Sequence, residues 1–248
     1  MFKGPHKYSD LQIARSLCVS GAILLASVLI HRLWISNYLS HKTAEVARDE
    51  LIKSWQSADA ASSILKNSTA IISPAELTSI EKLNHQKGFA LLYIPRIRNE
   101  VWGVPIFEGV ESKQLRSGVG HYPQSQTLGE EGNFSLFGHR TSYVQPFSNI
   151  QKLRIGDRVI VETKDFWFVY NLKFDRIVKP NATWVTEILR YPELELKEDE
   201  SYNVVTLITC EPRFSTAKRW VWWGVLQTVY PHNSPPPALK IRTNLSNP

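Results

Sequence analysis

The first third of the chain lacks strand-like alternation and contains a long apolar stretch followed by a polar one. Residues 16–30 have no charged side chain, and the apolar zone around them, residues 11–35, is as long as the roughly 20 residues that span a bilayer. Residues 37–66 are polar, rich in helix-forming residues and free of Gly and Pro. The pattern predicts a transmembrane helix over residues 11–35 and a helical stalk or linker over residues 36–87.

Charged residues beside the apolar stretch predict its orientation. Lys3, Lys7 and Arg15 precede the stretch, and positive residues favour the cytoplasmic side of a membrane. A cleaved signal peptide is the alternative, because the uncharged run is short and rich in Ala and Ser. The lack of an Ala-x-Ala site at its exit favours an uncleaved, single-pass signal anchor. We therefore expect residues 1–10 in the cytoplasm, the lipid bilayer as a partner, and the remaining domain on the extracellular face of the cell membrane.

From Gly88 onward, short runs rich in β-branched and aromatic residues alternate with turn residues. Such spacing favours a β-barrel or β-sandwich over a parallel α/β sheet. We assign this mainly β domain to residues 88–230. Residues 231–248 contain three consecutive prolines and are expected to form a disordered, proline-rich tail. The predicted strands are residues 89–94, 100–107, 134–137, 158–162, 166–174, 203–209 and 220–229.

Composition limits the classes of partner. A 248-residue chain with 43% hydrophobic residues can hold one well-filled core, and its net charge of +6 is moderate. No block of Lys and Arg stands out in the sequence, so nucleic acid is not expected as a partner. No cluster of His, Cys and Asp in the sequence has the spacing of a zinc site, so we expect no metal and no cofactor.

The two cysteines differ in their setting. Cys18 lies in the apolar stretch, which leaves Cys210 as the only cysteine of the exported part. Cys210 ends a predicted strand, and Arg219 opens the next one nine positions later. A thiol attacks as the thiolate, which a nearby cation favours. His139 follows Gly138 in a predicted loop, and an imidazole there can protonate a leaving amine. The pattern suggests thiol catalysis; an inert buried cysteine and an ordinary surface loop are the alternatives.

Four segments between residues 92 and 230 form a recognisable series of motifs. They are Thr206–Cys210 with the sequence Thr-Leu-Ile-Thr-Cys, Gly138–Tyr143 followed by Pro146 and Phe147, Leu153–Val159, and Cys210–Ser215 with Arg219. The first resembles the Thr-Leu-x-Thr-Cys signature of sortases, the membrane-anchored cysteine transpeptidases of Gram-positive bacteria. The others resemble the catalytic-histidine loop of that family, the turn and strand after it, and the last catalytic loop. The chain is therefore similar to sortases over most of its exported part.

This resemblance implies a fold and a reaction. The fold is an eight-stranded closed β-barrel with short helices, preceded by the transmembrane helix and the stalk. Cys210 attacks the Thr–Gly carbonyl of an LPXTG-like or LAXTG-like sorting signal and forms a thioacyl enzyme. His139 donates a proton to the departing glycine amine and then activates the incoming amine, while Arg219 holds the substrate and stabilises the oxyanion. The expected partners are secreted proteins that carry the signal and a cell-wall precursor amine.

The resemblance also implies further substrate-binding residues. Thr209, directly before the nucleophile, is expected to assist at the oxyanion. His121 and Tyr122 lie in a segment rich in Gly and Pro that suggests one wall of the peptide groove. Arg140, directly after His139, is expected to contribute to substrate binding.

The motifs are most similar to those of the actinobacterial class E, with the pilus-assembling class C as the nearest competitor. Two other roles remain open: a pilin-polymerising enzyme with a pilin lysine as acceptor, and a non-catalytic surface barrel that binds peptides. Ile208, Glu211 and Gln124 depart from the family's pattern. Glu211 is the departure that matters for the chemistry, because an acid beside the thiol opposes thiolate formation unless a cation such as Arg213 or Arg219 offsets it.

Overall fold

The computed structural model describes residues 10–65, 88–187, 191–196 and 202–240. Predictions for residues 1–9 of the cytoplasmic terminus, 66–87 of the stalk and 241–248 of the tail therefore lie outside the described residues. The chain contains two compact units, Met1–Leu39 and Ser40–Pro248. The second unit begins inside the predicted stalk, well before the predicted domain start at Gly88.

Helix α1, Asp10–Leu65, supplies the described part of the first unit. Consecutive apolar residues there are exposed, including Ile23–Leu25 and Val28–Ile30, so apolar surface covers every side of the helix. Among the described residues, Arg15–Ala58 holds the one stretch that is long and apolar enough to cross a membrane. A helix of this kind is consistent with a membrane anchor.

The second unit contains an eight-stranded closed β-barrel, which confirms the predicted fold class. The strands are β1 (Ala90–Tyr93), β2 (Trp102–Glu108), β3 (Val119–His121), β4 (Gly132–Phe137), β5 (Arg158–Glu162), β6 (Phe166–Val178), β7 (Asn203–Glu211) and β8 (Lys218–Pro231). Around the barrel they follow the order β1-β2-β3-β4-β7-β8-β6-β5. The pairs β2–β3 and β4–β7 are parallel, and the remaining pairs are antiparallel.

Short helices lie between the strands and after them. They are the α-helices α2 (Ser112–Ser117) and α3 (Pro237–Lys240), and the 3-10 helices Pro95–Ile97, Ile150–Lys152, Thr183–Thr186 and Pro192–Leu194. The last two of these 3-10 helices belong to the segment between β6 and β7, which we call the β6–β7 segment (residues 179–202).

Two differences from the predicted strands affect the site. Strand β3 is missing from the sequence prediction, because three residues with a central glycine are too short to show alternation. Strand β7 was predicted to end at Thr209, but it continues to Glu211, which pairs with Lys218 of β8. Cys210 therefore lies within the β7–β8 ladder rather than just beyond it.

Strand β7 is buried on both faces. Leu207 points into the barrel with Phe134 and Leu136 of β4, and all three are at most 2% exposed. Ile208 points outward and packs in a second cluster with Val185 of the β6–β7 segment. Burial on two faces explains the continuous apolar run before Cys210. The C-terminal end of the strand reaches the surface at Cys210 and Glu211, which are both half-buried.

The predicted stalk is in part a component of the domain. Leu51 of α1 is 7% exposed and packs with Tyr93 and Trp167 on the outer face of the barrel, with Trp55 packed against the same cluster. Burying side chains of this size stabilises the folded state by roughly 1.5–3 kcal/mol each. A spacer that only carries the domain away from the membrane would leave these side chains in water.

The predicted disorder of the tail is wrong for residues 232–240. The indole nitrogen of Trp167 donates to the carbonyl of His232 over 2.9 Å, and the imidazole of His232 stacks on the Trp167 ring with centroids 5.5 Å apart. Nε2 of His232 lies 2.9 Å from a carboxylate oxygen of Glu162. Ala238 of α3 is buried against the same face. These contacts order a segment whose proline content alone suggested disorder.

Candidate active site

Cys210 and Arg219 face each other across two neighbouring strands. The register of β7 and β8 pairs Cys210 with Arg219, next to the pair Glu211 and Lys218. Opposed residues of an antiparallel pair have Cβ atoms about 4.5–5.5 Å apart. The ladder therefore brings together the two residues that the sequence separates by nine positions.

His139 reaches the same end of the barrel through β4. Strand β4 runs parallel to β7 with Phe137 opposite Ile208, and the amide of Gly138 donates to the carbonyl of Ile208 over 3.1 Å. Continuing this register by two residues places His139 beside Cys210. The structure thus brings together the three residues predicted to be catalytic, which come from the loop after β4 and from the neighbouring strands β7 and β8.

Gly138 and Thr209 hold the loop after β4, residues 138–147, against strand β7. We call this segment the histidine loop. A Cβ atom on Gly138 would lie 2.7 Å from the Phe147 ring and 2.9 Å from Pro146, so no larger residue fits without displacing the loop. The Thr209 hydroxyl donates to the carbonyl of Gly138 over 2.7 Å and is 3% exposed. Thr209 therefore positions the loop, which differs from the predicted role at the oxyanion, because its proton is already committed to this carbonyl.

The environment of His139 favours the neutral imidazole. Burial lowers the pKa of His139, and the positive charge of Arg116 lowers it further. Within the described residues, Nε2 of His139 is a buried nitrogen without a hydrogen-bond partner. Buried polar atoms are nearly always paired, so an unpaired one marks a place where a substrate group or a reacting proton can enter.

Arg140 does not extend into solvent as a substrate contact. It is 6% exposed, forms an ion pair with Glu211, and donates to the carbonyl of Cys210 over 3.2 Å. Its guanidinium also lies 5.2 Å from the centre of the Trp220 ring. These contacts give Arg140 a structural role in place of the predicted substrate contact, and the ion pair places a positive charge beside Glu211, the neighbour of Cys210.

Arg219 is half-buried at the start of β8. Its Nη1 donates to the carbonyls of Thr216 and Lys218, each over 2.9 Å. These two bonds fix the guanidinium beside the loop that joins β7 and β8. A guanidinium has five N–H donors, so three remain to bind an oxygen of a substrate at this rim.

Asn133 ties the β6–β7 segment to the outer face of β4 and β7. It is fully buried; its amide nitrogen donates to the carbonyls of Val185 and Glu187 over 3.1 and 3.3 Å, and its oxygen accepts from Thr206 over 2.6 Å. The arrangement fixes a wall on the face of β7 to which Cys210 belongs. Sequence reasoning missed Asn133, because one asparagine in a strand gives no signal of its distant partners.

Tyr122 and His121 point in different directions. The ring of Tyr122 lies 5.8 Å from the ring of Phe137, close to the end of β4 that leads to His139. His121 is 1% exposed, and its Nδ1 lies 2.8 Å from a carboxylate oxygen of Glu108. The position of Tyr122 agrees with a place in the peptide groove. The position of His121 contradicts the predicted groove role, because the side chain is enclosed and both ring nitrogens are bonded.

His121 instead lines a separate cavity of about 350 Å³. The residues that line the cavity lie at the starts of β1 and β6, at the ends of β2, β3 and β5 and in the loop before β4, so the cavity is at the end of the barrel opposite to Cys210. Its wall is mainly aromatic, with Glu108 as the charged member; the aromatic members include Phe89, Phe134, Phe166 and Phe168.

Two residues near His139 were not singled out by the sequence. Tyr143 places its ring 5.2 Å from the imidazole, and Arg116 of α2 lies 5.0 Å from the centre of the Tyr143 ring. Tyr143 belongs to the histidine-loop motif, so a signal for it existed. Arg116 lies on a different element, and nothing in the sequence connects it with His139.

Comparisons with known proteins agree with this geometry. Residues 92–227 match the family model for the sortase domain. The chain is 30% identical over 226 residues to Sortase SrtE1 of Streptomyces coelicolor; the match covers 88% of this chain and 58% of that protein, less than two thirds of the relative's length.

Solved structures give the same result. The structure of sortase E from Streptomyces avermitilis is 32% identical with a TM-score of 0.54, covering 62% of this chain and 98% of that one. Sortase E1 from Streptomyces coelicolor, solved with a tripeptide in the active site, is 34% identical with a TM-score of 0.56, covering 62% and 97%. These relatives confirm the resemblance to class E.

Proposed function

This chain belongs to the sortase family, and we propose that it is a membrane-anchored cysteine transpeptidase that joins secreted proteins to a cell-wall amine. The observation that supports the proposal is the register of β4, β7 and β8, which leads the loop with His139 to the end of the barrel where Cys210 pairs with Arg219. Each strand alone offers one reactive group. Acyl transfer needs a nucleophile, an acid–base group and an oxyanion donor together.

The first half of the reaction forms a thioester. The Cys210 thiol transfers its proton to the neutral imidazole of His139, and the thiolate attacks the Thr carbonyl of the sorting signal. The resulting oxyanion accepts hydrogen bonds from the guanidinium of Arg219. His139 then donates the proton to the glycine nitrogen, the Thr–Gly bond breaks, and the C-terminal fragment leaves as a free amine.

The second half transfers the acyl group. An incoming amine attacks the thioester, and His139 takes a proton from it as the new amide bond forms. The C–S bond breaks, and the Cys210 thiolate recovers its proton from His139. A neutral imidazole is needed at the start of both halves, which agrees with the lowered pKa of His139. No net proton, electron or cofactor is consumed.

The groove for the peptide lies on the outer face of β4 and β7 in this proposal. Phe137 and Tyr122 supply an aromatic surface there, and the β6–β7 segment, fixed by Asn133, supplies the facing wall. The likeness to class E favours an LAXTG-like signal over an LPXTG-like one. The exposed apolar helix at the N-terminus would anchor the protein in the cell membrane, so that the barrel works on the extracellular side, where secreted substrates emerge.

A cleavage assay tests the proposal. The full chain in detergent micelles is incubated with fluorogenic peptides that contain Leu-Ala-x-Thr-Gly or Leu-Pro-x-Thr-Gly. We expect turnover with a preference for the alanine peptide, loss of turnover in Cys210→Ala, and full turnover in Cys18→Ala, which removes the other cysteine. Undiminished cleavage by Cys210→Ala would refute the assignment, and transfer only to a lysine-bearing acceptor peptide would indicate pilin polymerisation instead.

A further inference from the structure

The ring of Tyr143 contacts the side chains of both His139 and Arg116. Its centroid lies 5.2 Å from that of the His139 imidazole at an interplanar angle of 47°, and 5.0 Å from the guanidinium carbon of Arg116. Both distances are in the range of aromatic and cation–π contacts. The three side chains come from two elements, α2 and the loop after β4. We call Arg116, Tyr143 and His139 the imidazole column.

The backbone of the histidine loop is shaped to present this ring. Tyr143 has φ 60° and Gln145 has φ 51°, a left-handed conformation that is uncommon for residues with a side chain. The loop is closed by the Phe147 amide, which donates to the carbonyl of His139 over 3.2 Å, and Phe147 itself is fully buried. Strained backbone of this kind persists only where the surroundings enforce it, and it concentrates at functional sites.

Arg116 adds a charge that the loop itself does not supply. It is exposed on α2, yet its charge lowers the pKa of His139 second only to burial. The other titratable or charged groups around His139 are Tyr143 in its own loop, Arg140 with its partner Glu211, Cys210 on β7 and Arg219 on β8. Arg140 forms an ion pair with Glu211, which offsets its charge. Arg116 instead contacts the Tyr143 ring, which in turn contacts the His139 imidazole.

We propose that Arg116 and Tyr143 are positioning residues of the acyl-transfer centre: Tyr143 orients the imidazole of His139, and Arg116 anchors the Tyr143 ring. The positive charge of Arg116 also opposes protonation of that imidazole. The inference rests on the proposed function, because it assigns a purpose to a neutral, oriented His139. Neither residue touches the reacting atoms in this account. Their effect passes through His139, so kcat and its pH dependence should respond while KM changes little.

The charge component is tested by titrating His139 directly. In the full chain in detergent with 13C-labelled histidine, His139→Gln identifies the His139 signal among the seven histidines. We expect Arg116→Gln to raise the pKa of His139, Arg116→Lys to leave it nearly unchanged, and 1 M salt to raise it in the wild type, because exposed charges are screened. Lys113→Gln is the matched control, since Lys113 is an exposed cation of the same helix.

Substitutions that keep or remove the Tyr143 ring test whether this ring orients the imidazole of His139. Tyr143→Phe keeps the ring, and Tyr143→Asn removes it with a residue that tolerates left-handed backbone. We expect Tyr143→Phe to retain activity and Tyr143→Asn to lower kcat about tenfold, equivalent to about 1.4 kcal/mol of transition-state stabilisation. The melting temperature of each variant shows whether the fold is intact.

The two proposals fail in different ways. An unchanged His139 pKa in Arg116→Gln together with a kcat within twofold of wild type in Tyr143→Asn would overturn the imidazole column. A raised pKa in Arg116→Gln in a protein that cleaves no sorting peptide would overturn the proposed function and leave the charge component supported. The titration needs no turnover, so it decides this component independently.

Discussion

The two ends of the barrel each hold a histidine and an acid, but they treat them oppositely. At the cavity end, His121 is 1% exposed, and both of its ring nitrogens are bonded, to Glu108 and to the carbonyl of Gln126. At the Cys210 end, His139 is half-buried and its Nε2 has no hydrogen-bond partner among the described residues, while the nearby acid Glu211 forms an ion pair with Arg140. A satisfied histidine stabilises the fold, whereas an unsatisfied one is available for chemistry.

The difference shows how to separate a structural histidine from a reactive one. Both follow short glycine-containing segments in the sequence, and both looked suited to a site. What distinguishes them is whether the surrounding groups complete their hydrogen bonds. The acid near each histidine makes the same point: Glu108 is bonded to His121, while Glu211 is paired with the buried guanidinium of Arg140.

The largest expected effect contrasts the two histidines directly. His139→Gln should lower kcat/KM for a sorting peptide about 10³-fold, the scale of general acid–base catalysis, with little change in melting temperature. His121→Gln should do the reverse, lowering the melting temperature while the surviving folded protein keeps its kcat. Peptide cleavage and thermal unfolding of both variants measure this, and equal loss of activity in the two would erase the distinction between the ends.

A second prediction concerns the ion pair that removes Glu211 from the site. Arg140→Met leaves a partly buried carboxylate without its cation and should lower the free energy of unfolding by about 2 kcal/mol, since one partner of a buried pair is lost. The control is Arg96→Met, which breaks a more exposed pair with Asp157 and should cost less than about 1 kcal/mol. Denaturant unfolding measures both; a smaller loss for Arg140→Met than for Arg96→Met would contradict the structural role.

A third prediction compares two buried polar residues of β4. Asn133→Ala leaves the Val185 and Glu187 carbonyls without their donor and should cost about 2 kcal/mol of unfolding free energy and raise KM. Ser135→Ala should change stability by less than about 0.5 kcal/mol, because the Ser135 hydroxyl is buried without a partner among the described residues. Similar losses from the two substitutions would show that Asn133 does not hold the β6–β7 segment.

The smallest expected effect is a pH dependence of stability. The folded protein holds the pKa of His139 below its ordinary value of 6.5, so the unfolded chain binds this proton first as pH falls. Stability from this residue is therefore present above about pH 6.5 and lost as pH falls towards the lowered pKa. The difference in melting temperature between wild type and His139→Gln should be constant above about pH 6.5 and change to the disadvantage of the wild type as the pH falls below it. Curves that stay parallel through this range would contradict the lowered pKa.

Local sequence patterns predicted the features that depend on residues close together in the sequence, which are the strands and the three motif residues. Runs rich in β-branched and aromatic residues, separated by turn residues, located every strand with at least four residues, because such side chains pack well on a pleated sheet. Motif resemblance supplied His139, Cys210 and Arg219, and the strand register brings these three together. The three residues of β3 carried no such pattern.

Contacts between distant segments could not be predicted. The pairing of Arg140 with Glu211 and the anchoring of Asn133 link positions about 50–70 residues apart, and no pattern within either segment encodes the partner. The same limit explains the tail: its prolines argued for disorder, while the stacking of His232 on Trp167 is visible only in three dimensions. The predicted groove role of His121 failed because two neighbouring strand residues face opposite sides.

The most direct test of the acyl-transfer centre is the mass of the intact protein during reaction with a sorting peptide. The full chain in detergent is mixed with a Leu-Ala-x-Thr-Gly peptide without an added amine and quenched in acid, and a proteolytic digest then locates any adduct. We predict an adduct with the mass of the peptide up to its Thr, carried by Cys210 and absent from Cys210→Ala. An adduct on Cys18, an adduct that contains the whole peptide, or cleavage without any adduct would contradict it.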